Sequence, residues 1–161
     1  MNLPKRKLPR LAKYNYANEG YYFITICTHD RLHLFGDINN LNEIGVIAEK
    51  ELTNIPTHFE NVKIDKYVIM PNHIHCILSI INDSETEPAE RSRPFPTSTI
   101  VGLYKSGVSK IVHAKYPDIT LWQKSYHDHI IRGEADYQKI WQYIDENRLK
   151  WQEDEYYIAP N

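Results

Sequence analysis

A chain of 161 residues is long enough for one domain whose core needs neither metal nor disulfide to hold it together. Apolar residues make up 42% and charged residues 25%, which excludes a disordered or fibrous chain. The formal net charge of −2, taken as a sum, speaks against a nucleic-acid binder, so the distribution of charge has to be followed along the chain.

Residues 1–20 read as a loose basic arm, with Lys5, Arg6, Lys7, Arg10 and Lys13 in the opening stretch and no acid among its first residues. No apolar segment follows these bases, so no signal peptide is expected, and no apolar run approaches the ~20 residues of a membrane span. Tyr21 to His29, rich in aromatic and β-branched residues, reads as a buried strand. After a turn near Gly36-Asp37, Asn42 to Phe59 reads as a helix capped by Asn42, with Ile44, Ile47, Ala48, Leu52 and Ile55 at helical spacing. Lys63 to Met70 and His73 to Ile81 read as strands joined at Pro71-Asn72, a tight hairpin signal. Residues 82–96 form a polar, then Pro-rich surface loop. Thr97 to Lys115 reads as a helix, Leu121 to Arg132 as a partly alternating apolar segment, and Glu134 to Trp151 as an amphipathic helix. Residues 152–161 read as an acidic, aromatic tail.

The order β-α-β-β-α-β and a final helix predicts an α+β, ferredoxin-like sandwich: a mostly antiparallel sheet with helices on one face, plus a C-terminal tyrosine-bearing helix. Cys27 and Cys76 lie far apart in apolar surroundings, without metal-type spacing, and read as reduced core thiols of a cytosolic protein.

Three features could carry chemistry. In His73-Ile74-His75 the two imidazoles leave the same face of a strand, at a separation suited to one divalent metal. Taken alone the pattern is weak: with eight histidines in the chain, chance supplies roughly 0.4 such pairs, and His127-Asp128-His129 is a second one. On the last helix Asn147 follows Tyr143 by four residues, which puts an amide oxygen and a phenol on one face. Whether that face docks over the histidine strand is not set by spacing. Charge is also segregated. Arg91, Arg93, Lys105, Lys110 and Lys115 share a stretch without acids, whereas Asp83, Glu85, Glu87 and Glu90 crowd the preceding loop. From Gly133 onward there are seven acids against three bases. A basic surface is therefore compatible with the small negative total. Tyr104 beside Lys105, and Trp122 near Lys124, are aromatics that could stack on unpaired bases.

The segments YYFITICTHDRLHLFGDI, IDKYVIMPNHIHCILSI, STIVGLYKSGVSK, LWQKSYHDHIIR and DYQKIWQYIDENRLKW cover nearly all of residues 20–151. In this order and spacing the chain resembles the single-tyrosine HUH transposases of the insertion-sequence-200 type, and most closely the REP-associated tyrosine transposases. The resemblance implies a catalytic domain over residues 21–151. His73 and His75 match the metal-binding pair, Tyr143 the nucleophile, and Asn147 the polar residue that helps hold the metal. His129 falls on a recurrent family histidine, with Lys105, Ser106, Trp122, Gln123 and Arg132 as supporting or DNA-contacting residues. The family often has proline after this asparagine. Arg148 stands there instead, so the helix is expected to continue further.

The resemblance further implies Mg²⁺ or Mn²⁺ as cofactor and single-stranded or hairpin DNA of the REP palindrome type as partner. It implies a monomer or homodimer, in the cytoplasm with the bacterial nucleoid. The implied reaction cleaves and rejoins DNA through a covalent 5′-phosphotyrosine. Two rivals stand beside it: a metal-dependent hydrolase in which water is the nucleophile, and a hairpin-binding protein derived from a transposase that no longer cuts.

Overall fold

Two stretches, Tyr21–Cys27 and His73–Ile80, are dominated by apolar and aromatic residues, and such strands form when both faces of a sheet are covered. In the computed structural model, which describes residues 20–81 and 95–159, that is what happens to β1 (Gly20–Cys27) and β5 (His73–Ile80). They are the central pair of a four-stranded sheet of order β4-β5-β1-β6, with β4 spanning Val62–Ile69 and β6 His127–Ile131. All three pairings are antiparallel. A short hairpin of β2 (Gly36–Asp37) and β3 (Asn40–Leu41) lies apart from this sheet.

Alternation sorts the strand residues into two buried clusters. Tyr22, Ile24, Ile26, Ile74, Cys76, Leu78 and Ile80 face α1 (Glu43–Thr53) and α3 (Thr97–Lys115). Phe23, Val68 and Ile77 face the other way, against Ile140 and Ile144 of α4 (Glu134–Glu146) and against Trp151. Burying one such side chain contributes about 1.5–3 kcal/mol, so both faces add to stability. Among the described residues the α+β sandwich holds, with α1 and α3 on one face and the tyrosine-bearing helix on the other.

Local chemistry explains where the elements differ from the periodicity. The helix expected over 42–59 breaks at Asn54, because Pro56 has no N–H for an interior helical bond and instead opens a four-residue helix, α2 (Ile55–His58). Asn42 does cap α1, its side chain accepting from Gly45 N at 2.9 Å. Within 121–132 only β6 is a strand, while Trp122 makes one isolated bridge to Thr28. The last helix stops at Glu146 although no proline follows Asn147. The chain turns there and enters a 3-10 turn at Trp151–Glu153, which buries Trp151 against the second cluster. Gly133, at a φ of 86° that side chains disfavour, turns the chain from β6 into α4.

Candidate active site

β5 begins at His73, directly after the 70–73 turn, which is closed by Met70 N donating to His73 O at 2.8 Å. The two-residue period sends His73 and His75 to the α4 side of the sheet, with ring centroids 4.5 Å apart. Both are fully buried (0% and 1% exposed).

Three polar contacts pin α4 over them. A bulge between Ile64 and Lys66 accommodates Asp65, which accepts from Tyr137 OH at 2.8 Å and from Ser79 Oγ at 3.0 Å. Lys66 Nζ reaches Asp145 at 2.7 Å and sits over the Trp141 ring. His129 Nε2 lies 2.8 Å from Asp136 Oδ2 at the start of the helix. So held, α4 places the Tyr143 hydroxyl 3.4 Å from His75 Nε2. The Tyr143/Asn147 face, whose docking the spacing left open, covers the histidine strand within one chain.

The protonation of the histidines follows from their partners. Asn72 Nδ2 donates to two carbonyls, Tyr156 O at 2.8 Å and Arg31 O at 3.2 Å, and these can only accept. That fixes the amide, so Asn72 Oδ1 faces His73 Nδ1 at 2.8 Å and Nδ1 carries the proton. His73 Nε2 is left with a lone pair and no hydrogen-bond partner among the described residues. His75 Nδ1 is engaged by Thr25 Oγ1 at 2.8 Å, which turns its Nε2 toward Tyr143. Burial pushes His73 down to about 3, against a smaller opposing effect of Asn147. Burial and the neighbouring His73 hold His75 well below the usual imidazole range. Both rings are therefore neutral and ready to bind a cation at physiological pH.

Asn147 is 2% exposed. Its Nδ2 donates to Asp154 Oδ2 at 2.8 Å, and its Oδ1 is buried without a hydrogen-bond partner among the described residues. A buried lone pair left unpaired costs about 1–3 kcal/mol, and here His73 Nε2 and Asn147 Oδ1 are both in that state. Two imidazole nitrogens and one amide oxygen, oriented by bonds at their far ends, form a donor set that fits a divalent cation.

The segment after α4, read as an acidic tail, is where sequence reasoning missed the most. Asp154, with a side chain 1% exposed, accepts from Tyr143 OH at 3.1 Å and lies 4.0 Å from His73 Nε2. Burial, then the Asp154 charge, push the Tyr143 hydroxyl well above the ordinary tyrosine range. Tyr156 lies against His73 with ring centroids 4.6 Å apart and planes tilted by 33°, and Arg31 lies over the Tyr156 ring at 5.3 Å from its centroid. The signal available was the interleaving of Trp151, Tyr156 and Tyr157 with the acids, since a solvated tail has little use for aromatics.

The remaining sequence candidates are dispersed. Lys105 and Ser106 are on α3, in the layer across the sheet from the histidines. Lys105 Nζ donates to Gln123 O at 2.7 Å, and Trp122 Nε1 donates to Lys105 O at 3.0 Å, so these residues tie α3 to the 121–125 segment. Gln123 N bonds Cys27 O, beside the Cys27–His73 pair, so the segment borders the site through its backbone. Arg132 is exposed and donates its backbone N–H to Asp136. Lys5, Arg6, Lys7 and Arg10 of the arm, and Arg91 and Arg93, lie outside the described residues. No helix among the described residues is long and apolar enough to cross a membrane.

The fold has counterparts among solved structures. The chain superposes on a REP-associated tyrosine transposase solved with a REP hairpin bound, with a TM-score of 0.64 and 18% identity, over 89% of this chain and 74% of that one. A candidate transposase of Deinococcus radiodurans R1 matches with a TM-score of 0.50 and 18% identity, over 86% of this chain and 97% of that one. The fold is thus that of a tyrosine transposase, and the resemblance read from the motifs extends to three dimensions. The chain belongs to the same family as an uncharacterized protein of Haemophilus influenzae strain Rd, 36% identical over 168 aligned positions, 95% of this chain and 93% of that one. No family model matches the chain.

Proposed function

We propose that this protein cleaves and rejoins single-stranded hairpin DNA through a covalent 5′-phosphotyrosine at Tyr143, as a transposase of REP-type or insertion-sequence elements. The observation that carries the reading is the Tyr143 hydroxyl 3.4 Å from His75 Nε2, on a helix that docks over its own chain's histidine pair. The likeness in fold to a protein solved with a REP hairpin supports the choice of substrate.

His73 Nε2, His75 Nε2 and Asn147 Oδ1 would hold the ion, Mg²⁺ or Mn²⁺ in function. Such an ion supplies Lewis-acid polarisation of the scissile phosphate and neutralises its developing charge. Tyr143 supplies the nucleophile. Its oxygen bonds to phosphorus, the bond to the 3′ oxygen breaks, and that oxygen takes up a proton to leave as a free 3′-OH. Because one phosphoester replaces another, a DNA 3′-OH can attack the link, rejoin the strand and return the proton to Tyr143. Burial of the hydroxyl beside Asp154 keeps it protonated until substrate arrives. One tyrosine per site makes one break at a time. A DNA strand transferase of this kind works in the cytoplasm with the nucleoid.

The test is incubation of labelled single-stranded hairpin DNA with the protein and Mg²⁺ or Mn²⁺, followed by denaturing electrophoresis. A DNA–protein band that disappears in Tyr143→Phe supports the reading. Cleavage that persists in Tyr143→Phe assigns a hydrolase with water as nucleophile. Hairpin retention without cleavage by wild type, unchanged when His73→Ala and Tyr143→Phe are combined, assigns a binding module.

A further inference from the structure

We propose that Asp154, carried by the segment that follows α4, is a ligand of the same metal ion, so that the site is two imidazoles, an amide oxygen and a carboxylate. The inference rests on the metal site proposed above and adds a residue from outside the catalytic segments.

Ligand atoms of His73, His75 and Asp154 all lie within 4.8 Å of one another, and His73 Nε2 to Asp154 Oδ1 is 4.0 Å. Atoms so placed can surround one ion after a small inward movement, since metal–ligand bonds are about 2.0–2.2 Å. The surroundings of Asp154 favour that occupant. Its carboxylate is buried and receives three neutral donors: Tyr143 OH, Asn147 Nδ2 and Tyr156 N, the last at 2.8 Å to Oδ1. Among the described residues its ion-pair contact is with His73, at 4.0 Å. A buried carboxylate is costly unless a cation stands close, and a divalent cation among these atoms would offset the charge. The same cation would meet the two orphaned lone pairs, His73 Nε2 and Asn147 Oδ1.

The carboxylate also sets the kind of ion. Two imidazoles and an amide form a neutral set that suits borderline metals such as Zn²⁺ or Ni²⁺. An anionic oxygen shifts the set toward harder ions such as Mn²⁺. The division of labour within the carboxylate is visible. Oδ2 receives Tyr143 and Asn147, whereas Oδ1 faces His73. Coordination through Oδ1 leaves Oδ2 to orient the nucleophile, so one side chain ties the ion to Tyr143.

The experiment measures Mn²⁺ binding to the full chain without DNA, by calorimetry and by loss of the free-ion paramagnetic resonance signal. Asp154→Asn keeps the shape and removes the charge, and is expected to weaken binding about tenfold or more. Glu155→Gln removes the same charge from the exposed neighbour and is expected to stay within about twofold of wild type. Asp154→Asn at wild-type affinity, or an equal loss in Glu155→Gln, overturns the proposal. Wild type that binds no Mn²⁺ overturns the metal site itself, a separable failure. Should Asp154→Asn not fold, Asp154→Cys loaded with Co²⁺ decides. A thiolate-to-cobalt absorption band absent from wild type, whose Cys27 and Cys76 are both buried, supports coordination at this position, and its absence overturns it.

Discussion

Thr25 and His75 sit opposite each other across the β1–β5 ladder, and their side chains meet at 2.8 Å through Oγ1 and Nδ1. The threonine, 3% exposed, fixes which ring nitrogen of His75 faces the site. Replacing it by valine keeps the shape and removes the oxygen, so Nδ1 loses its hydrogen-bond partner and the ring its orientation. Thr25→Val is expected to weaken Mn²⁺ binding ~10-fold and to slow adduct formation by a similar factor. Calorimetry on the folded variant, together with the hairpin cleavage assay, checks both.

The docking of α4 depends on polar contacts as well as on Ile140 and Ile144. Tyr137 OH donates to Asp65 Oδ2 at 2.8 Å, one turn or more ahead of Tyr143 on the same helix. Tyr137→Phe leaves Asp65 with Ser79 and an unmet acceptor. The expected loss is about 1–2 kcal/mol, read from urea unfolding. Mn²⁺ affinity, to which the two histidines of β5 contribute wherever α4 sits, should fall less than the rate of adduct formation, which depends on where α4 holds Tyr143.

The site was legible in the sequence to the extent that it obeys local periods. The two-residue period of β5 put His73 and His75 on one face, and the four-residue spacing put Tyr143 and Asn147 on one helix face. Thr97–Lys115 is a helix over the residues that its apolar spacing marks out. What the periods could not convey is long-range. Thr25 meets His75 through a strand pairing fifty residues apart in sequence. Asn72 gains its role from Tyr156, which lies eighty-four residues away. Asp154 sits in a segment with no period at all, and its acids look like solvated charge until the fold brings one of them under Tyr143. In the basic stretch 105–115 the partners are long-range too: Lys105 binds backbone carbonyls of the 123–125 segment, and Lys115 pairs with Glu43 at 2.6 Å.

The cysteines offer a simple check on the core. Burial pushes Cys27 up to about 11 and Cys76 up to about 12. Thiolate is the reactive form, so neither side chain should be attacked at neutral pH while the fold is intact. Addition of a thiol-specific disulfide reagent at pH 7.5 should label no cysteine in native protein and both in urea. Rapid labelling of the native protein would contradict the burial of β1 and β5.

Acid should destabilise the fold through the two site histidines. The folded value of His73, about 3, lies below the ordinary imidazole value of 6.5, and His75 is displaced in the same direction. Below about pH 6.5 the unfolded chain takes up protons at both positions while the folded chain does not. Stability is therefore full above that pH and declines as pH falls toward 3, by about 1.4 kcal/mol per pH unit for each proton bound only by the unfolded state. Carboxylates elsewhere also titrate in acid, so the measurement is a comparison. Urea midpoints of wild type and of a His73→Gln, His75→Gln variant are recorded from pH 7.5 down to pH 4.5. Wild type should lose stability more steeply across pH 6.5 to 4.5, because glutamine takes up no proton there. Parallel curves would show that the rings are protonated in the folded protein, contrary to a buried, neutral pair oriented by Asn72 and Thr25.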